Sequence, residues 1–144
     1  MPDPSAAAFA VETDPSAEDI RFLEDGLTAF NAEATGIGGG AMFALFARDD
    51  GGAPLAGAYG WTWGGICHVR YLFVAEPLRT RGLGSQLMQA VEREAAARGC
   101  VQILLETYDF QAPGFYRKQG FEVVATIPDH AGGHEFLILR KRLP

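Results

Sequence analysis

The stretch Leu72-Phe73-Val74-Ala75-Glu76-Pro77-Leu78-Arg79-Thr80-Arg81-Gly82-Leu83-Gly84-Ser85 decides how the rest of the chain is read. It joins a run of β-formers to an amphipathic helix through a proline-containing turn. Upstream, Ile66 to Val74 is dense in branched and aromatic residues. Its alternation puts Val69, Tyr71 and Phe73 on one face of a strand and His68, Arg70 and Leu72 on the other. Downstream the period changes: Leu83, Leu87, Met88, Val91 and Ala95 form a helical stripe, and Gly99 stands as its C-terminal cap.

A strand opening directly onto a helix start is a site for an anion. The first helical N–H groups have no partner within the helix, and the helix dipole places partial positive charge there. Gly82 and Gly84 let phosphate oxygens approach the backbone, Arg79 and Arg81 add charge, and Ser85 adds a hydroxyl. A Walker A loop is excluded, because the glycines are too close together and no Gly-Lys-Ser/Thr follows. A dinucleotide fingerprint would need a third glycine where Leu87 stands. A simpler reading, in which the glycines serve only a tight turn and close helix packing, stays open on these residues alone.

Working outward, Phe9 to Glu12 reads as a short first strand. Ser16 follows as an N-cap with Asp19 three residues on. Ile20, Leu23, Leu27 and Phe30 then recur at helical spacing. Met42 to Ala47 and Leu55 to Trp63 flank an Asp-Asp-Gly-Gly turn as a hairpin, and Gly64-Gly65 turns into the strand before the phosphate turn. After the long helix, Val101 to Leu105 reads as a strand covered on both faces, and Ala112 to Lys118 as a brief helix closed by Gly120. Phe121 to Thr126 and Glu135 to Arg140 are the last strands, joined by a loop from Pro128 to Gly133. The order predicts an α/β (α+β) fold: one domain over residues 1–144, with a mostly antiparallel mixed sheet flanked by helices and a flexible start over residues 1–8.

With 144 residues, nearly half of them apolar, one ordinary core can be buried. The start lacks the basic and apolar regions of a signal peptide, and no apolar run is long enough for a bilayer, so a cytoplasmic protein without membrane contact is expected. A net charge of −6 argues against a nucleic-acid surface. Cys67 and Cys100 lack any metal-ligand or CxxC spacing and read as reduced and structural, and no metal is expected. Exposed edge strands in a mixed sheet leave room for a homodimer.

Arg79-x-x-Gly82-x-Gly84 resembles the Gln/Arg-x-x-Gly-x-Gly/Ala signature of the GNAT acetyltransferases, and it follows a Leu-x-Val-x-x-Pro strand end of the kind that family carries. Phe115-Tyr116-Arg117-Lys118-Gln119-Gly120-Phe121 resembles the family's second block, Phe/Leu-Tyr-x-x-x-Gly-Phe. The resemblance extends from about Phe9 to the end and is densest between Leu72 and Phe121. It implies the GNAT fold and transfer of an acetyl group from acetyl-CoA to a primary amine of a small molecule, or of a peptide. The amides of Arg81, Gly82, Leu83, Gly84 and Ser85 would hold the pyrophosphate, with Arg79 beside them. Leu72, Phe73 and Val74 would pair with the pantetheine arm, and the amine would attack the thioester directly in a ternary complex, with no acyl-enzyme.

Three tasks follow. The leaving thiolate needs a proton, which a phenol with an ordinary pKa near ~10 still carries at neutral pH, and Tyr116 matches the family's acid. The attacking ammonium must lose its proton. The family's glutamate position is occupied by His68, with Glu106 or a water chain as the rival base. The developing oxyanion needs a donor, for which the Val74 N–H is the candidate. The position seven before Tyr116, a coenzyme contact that is Asn in the family, is Asp109 here. Acceptor-pocket candidates are Trp61, Trp63, Tyr71, Tyr108 and Phe30, with Glu33, Glu106 and Asp109 as ammonium partners and His130 and His134 on a nearby loop. The other reading from a different class is a catalytically silent acyl-CoA-binding module, against which the retained Tyr116 argues.

Overall fold

The computed structural model describes Met1, Asp3, Ser5 and residues 7–144. The flexible start expected over residues 1–8 falls partly on Pro2, Pro4 and Ala6, which lie outside the described residues. The chain divides into two compact units, residues 1–39 and 40–144.

The first unit holds helix α1, Ala17–Thr35. The Ser16 side chain accepts a hydrogen bond from the Asp19 N–H at 3.1 Å, and Gly36, left-handed at φ 73°, donates its N–H to the Ala32 carbonyl at 2.8 Å. Both ends are therefore fixed by the residues the sequence offers for it. Phe9 to Glu12 is not a strand: these residues belong to no ladder, and Phe9 and Val11 are 98% and 93% exposed.

The second unit is a six-stranded sheet with two helices. Its elements are β1 (Ala41–Arg48), β2 (Pro54–Trp63), β3 (Ile66–Val74), α2 (Leu83–Ala97), β4 (Gln102–Tyr108), α3 (Pro113–Lys118), β5 (Glu122–His130) and β6 (His134–Arg142). The strand order is β1-β2-β3-β4-β6-β5, antiparallel throughout except for β3 and β4, which are parallel and joined through α2. The expected mixed sheet is present. Leu87, Met88, Val91 and Ala95 of α2 are buried in one core with Cys67, Val69, Ile103, Leu105 and Leu139. Gly99, at φ 75°, closes α2 as expected.

Two strand details differ from the sequence reading. Tyr59 pairs with Tyr71 but Gly60 pairs with Val69, so Arg70 is an extra residue and β3 is bulged there. Beyond the bulge the alternation inverts. Val69 is buried on the α2 side, while Tyr71 and Phe73 are on the opposite face, 63% and 62% exposed. Leu72 and Val74 take over the core side. The expected loop from Pro128 to Gly133 is also shorter: β5 runs on to His130 through a register shift, with Asp129 and Ala131 at positive φ and only a tight turn before His134.

Candidate active site

The parallel pairing of β3 with β4 begins at Ile66 with Gln102 and stops at Val69 with Leu105. Past that point the bulge at Arg70 turns β3 aside, while β4 continues along β6 as far as Tyr108 opposite Phe136. The two strands diverge and open a cleft of ≈ 1100 Å³. One wall is the end of β3, Arg70 to Val74, and the other is Leu105, Glu106 and Thr107 of β4.

The free edge of β3 is chemically defined. Ala75 donates its N–H to Leu55 of β2 at 2.9 Å, so by strand alternation the Val74 N–H and C=O face the other way, toward the cleft. Arg79 confirms the direction, since its Nε–H donates to the Val74 carbonyl at 2.9 Å while its guanidinium lies 5.5 Å over the Phe73 ring. The Leu72 backbone faces the cleft by the same alternation. This is a strand edge that no further strand pairs beyond Val69, of the kind that an extended amide-bearing chain can complete.

At the cleft's end stands the turn before α2. Gly82 caps the helix at φ 79°, with open space where a Cβ would be. The N–H groups of Leu83, Gly84 and Ser85 precede the first intrahelical donor, Gln86, which bonds to Gly82 at 3.1 Å. Gln119 donates from Nε2 to the Ser85 oxygen at 2.9 Å, which leaves the Ser85 proton free for an acceptor in the cleft. A cradle of amides, a hydroxyl and a Cβ-free approach fits a pyrophosphate. Gly84 serves packing as well: a Cβ there would stand 3.3 Å from the Phe115 ring. This packing leaves the amides of Leu83, Gly84 and Ser85 ahead of the first intrahelical donor.

Of the residues singled out in the sequence, Leu72, Phe73, Val74, Arg79, Gly82, Gly84 and Ser85 line this cleft, and so does Tyr116. Arg81 and Leu83 do not form its wall; Arg81 is exposed and Leu83 packs toward the core. Asp109 is off the wall too. It accepts from Nδ1 of His134 at 2.8 Å and from the Glu135 N–H at 3.0 Å, and these bonds, the backbone one first, hold its carboxyl below the ordinary range. Phe110, Gln111 and Ala112 line the cleft without having been singled out. The turn that places them is tied by Gln111, which accepts from the Tyr108 N–H and the Thr107 hydroxyl.

Tyr116 is set by α3, with its ring edge-on to Phe115 and Phe121 at 5.2 and 5.8 Å. Burial pushes its phenol above the ordinary value of 10.0. His68 lies behind the cleft rather than on its wall, 4.7 Å from Trp61 in an edge contact. Its Nε2 stands 3.0 and 2.8 Å from the two oxygens of Glu106. A carboxylate only accepts, so Nε2 carries the hydrogen and donates it to Glu106. Burial pushes the Cys67 thiol up to about 12 and that of Cys100 above its ordinary value, and both cysteines are free and buried. Neither is a nucleophile in this state. Among the described residues no group of three or more His, Cys, Asp or Glu is arranged to hold a metal ion, and no helix is long and apolar enough to cross a membrane.

Comparison with known proteins agrees with this geometry. Residues 39–123 match the family described as the acetyltransferase (GNAT) domain. The blasticidin-S acetyltransferase of Streptomyces morookaense is 38% identical over 104 residues, covering 72% of this chain and 74% of that protein. The crystal structure of an acetyltransferase from Bacillus cereus superposes with a TM-score of 0.79 at 27% identity, over 93% of this chain and 98% of that one. An aminoglycoside 6'-N-acetyltransferase complexed with coenzyme A shares the fold, with a TM-score of 0.64 at 20% identity over 72% of this chain and 74% of that one. The cleft between diverging strands, its amide cradle and the family match lead to one conclusion: the chain belongs to the GNAT acetyltransferases, enzymes that transfer an acyl group from acetyl-CoA to an amine.

Proposed function

We propose that this enzyme acetylates the primary amine of a small molecule, which attacks directly in a ternary complex, with Glu106 as the base and Tyr116 as the acid. The observation that carries the reading is that Glu106 and Tyr116 line the same cleft, while His68 reaches that cleft only through Glu106. Because His68 already donates from Nε2, that atom has no lone pair for a proton. The carboxylate it holds is the group that faces the acceptor. Acetyl-CoA supplies an activated thioester when bound. Leu72 presents its strand-edge amide to the pantetheine arm, and Leu83, Gly84 and Ser85 present theirs to the pyrophosphate. The Val74 N–H is the donor for charge developing on the carbonyl oxygen. Glu106 takes the proton from the ammonium, and Tyr116 gives one to the departing sulfur.

A small acceptor is favoured by the relative named for an antibiotic and by the cleft, whose free face on the β4 side is bounded by Phe110 and Gln111. The experiment is thiol release from acetyl-CoA with a panel of amino-bearing antibiotics, polyamines, amino acids and short peptides. Release with small amines and not with peptides supports the reading, and release with peptides alone overturns the acceptor class. Coenzyme binding without release for any amine favours the silent acyl-CoA-binding module.

A further inference from the structure

The end of β4 meets the cleft through one side chain. Asp109 donates its N–H to Glu135 of β6 at 3.0 Å, so by strand alternation the N–H and C=O of Tyr108 face away from β6, toward the cleft. Both are taken by Gln111. The Tyr108 N–H donates to Gln111 Oε1 at 2.8 Å, and the Tyr108 carbonyl accepts the Gln111 N–H at 3.1 Å. At this level β4 therefore offers a ligand no backbone edge, in contrast to β3 across the cleft.

The same bonds fix which way the Gln111 amide is turned. A backbone N–H only donates, so the atom that Tyr108 meets must be the oxygen. The hydroxyl of Thr107, a residue only 4% exposed, donates to that oxygen as well, at 3.0 Å. Both lone pairs of Oε1 are then in use, and the Nε2 end has no hydrogen-bond partner among the described residues. Gln111 is exposed and lines the cleft. Asp109, where the sequence reading placed a coenzyme contact, cannot supply such a donor. Its Oδ1 faces His134, its Oδ2 accepts from the Glu135 N–H, and a carboxylate has no hydrogen to give.

We propose that Gln111 binds the coenzyme by donating from Nε2 to an amide carbonyl of the pantetheine arm. The proposal rests on that arm completing the edge of β3. An extended chain paired to β3 through one edge points its remaining C=O and N–H groups the other way, toward the wall that β4 forms. There the Tyr108 N–H and the Thr107 hydroxyl are both committed to Gln111, and a carbonyl taken out of water without a donor weakens binding. The Gln111 amide offers that donor. Its other end is already held, so little side-chain freedom is lost when the arm arrives.

The test is calorimetry with two probes: coenzyme A, and 3′-phospho-ADP, which has the nucleotide and the pyrophosphate and lacks the arm. Two variants are compared with the native chain. Gln111→Glu keeps an oxygen for Tyr108 and Thr107 and removes the donor, and Gln111→Met is of similar length and uncharged. Thermal melts show whether each is folded, and Gln111→Glu decides alone if Gln111→Met melts early. Each folded variant is expected to bind coenzyme A about tenfold more weakly and 3′-phospho-ADP as the native chain does. Unchanged coenzyme A affinity in either folded variant overturns the proposal. An equal loss for both probes overturns it too, because the effect then lies in the fold or in charge and not in the arm. If the native chain itself binds both probes with one affinity, the arm makes no contact in the cleft, and the reading of the β3 edge fails together with that of Gln111. No acceptor amine is present in any of these measurements, so they are independent of the assignment of base and acid.

Discussion

His68 on β3 holds Glu106 on β4 through both carboxylate oxygens, at 3.0 and 2.8 Å, where the two strands have just parted. The imidazole is itself held edge-on by Trp61 at 4.7 Å, so the carboxylate is aimed by a chain of contacts on one sheet face. Removing the donor frees the carboxylate without removing it. His68→Ala is expected to lower kcat about tenfold and to leave the KM for acetyl-CoA unchanged, and His68→Gln, which keeps an N–H donor, should recover part of the loss. Steady-state kinetics of the three proteins checks this.

Tyr116→Phe removes a hydroxyl and keeps the ring contacts with Phe115 and Phe121. Because burial raises the phenol above 10.0, Tyr116, the proposed acid, stays protonated across the neutral range. The variant should lose roughly a hundredfold in kcat while its melting temperature stays that of the native chain. Thiol release and a thermal melt on the same sample separate the two effects.

Gly82 is left-handed at φ 79° and faces open space. Alanine there costs about 1 kcal/mol of backbone strain and puts a methyl group where an anion would approach. Calorimetry of Gly82→Ala should show coenzyme affinity reduced about tenfold, with kcat little changed once the coenzyme is saturating.

Cys67 gives a pH signature of stability. Its thiol is raised from 9.0 to about 12 by burial first and by the nearby Cys100 second. The unfolded chain therefore loses this proton before the folded one does. The stability it contributes is complete below pH 9.0 and is lost as pH rises toward about 12. Across that window a single thiol makes stability fall by ~1.4 kcal/mol per pH unit. Urea unfolding at pH 8 and 10 should show the decline, and Cys67→Ala should flatten it. Both thiols should resist alkylation until denaturant is added.

What the sequence reveals and what it hides follow from distance along the chain. The turn before α2 is legible because Pro77, Arg79, Gly82 and Gly84 lie in one short segment whose chemistry is local. The cap of α1 and the stripe of α2 are legible for the same reason. The bulge at Arg70 is not, because a strand's alternation carries no mark of where its neighbour slips register, and so Tyr71 and Phe73 are read onto the wrong face beside Val69. The pairing of His68 with Glu106 is hidden by a separation of 38 residues and depends on a parallel neighbour that no local pattern names. The β5–β6 turn is misjudged because Pro128 and Gly132-Gly133 suggest a loop, while Asp129 and Ala131 absorb the positive φ angles that let the strands run on.

The most direct measurement is the acetylation rate of Glu106→Gln beside its coenzyme affinity. Glutamine keeps the size of the side chain and removes its capacity to take a proton. If Glu106 deprotonates the acceptor, kcat falls about a hundredfold while calorimetry finds coenzyme binding unchanged. A variant that acetylates at the native rate would contradict the assignment of the base and with it the account of the cleft.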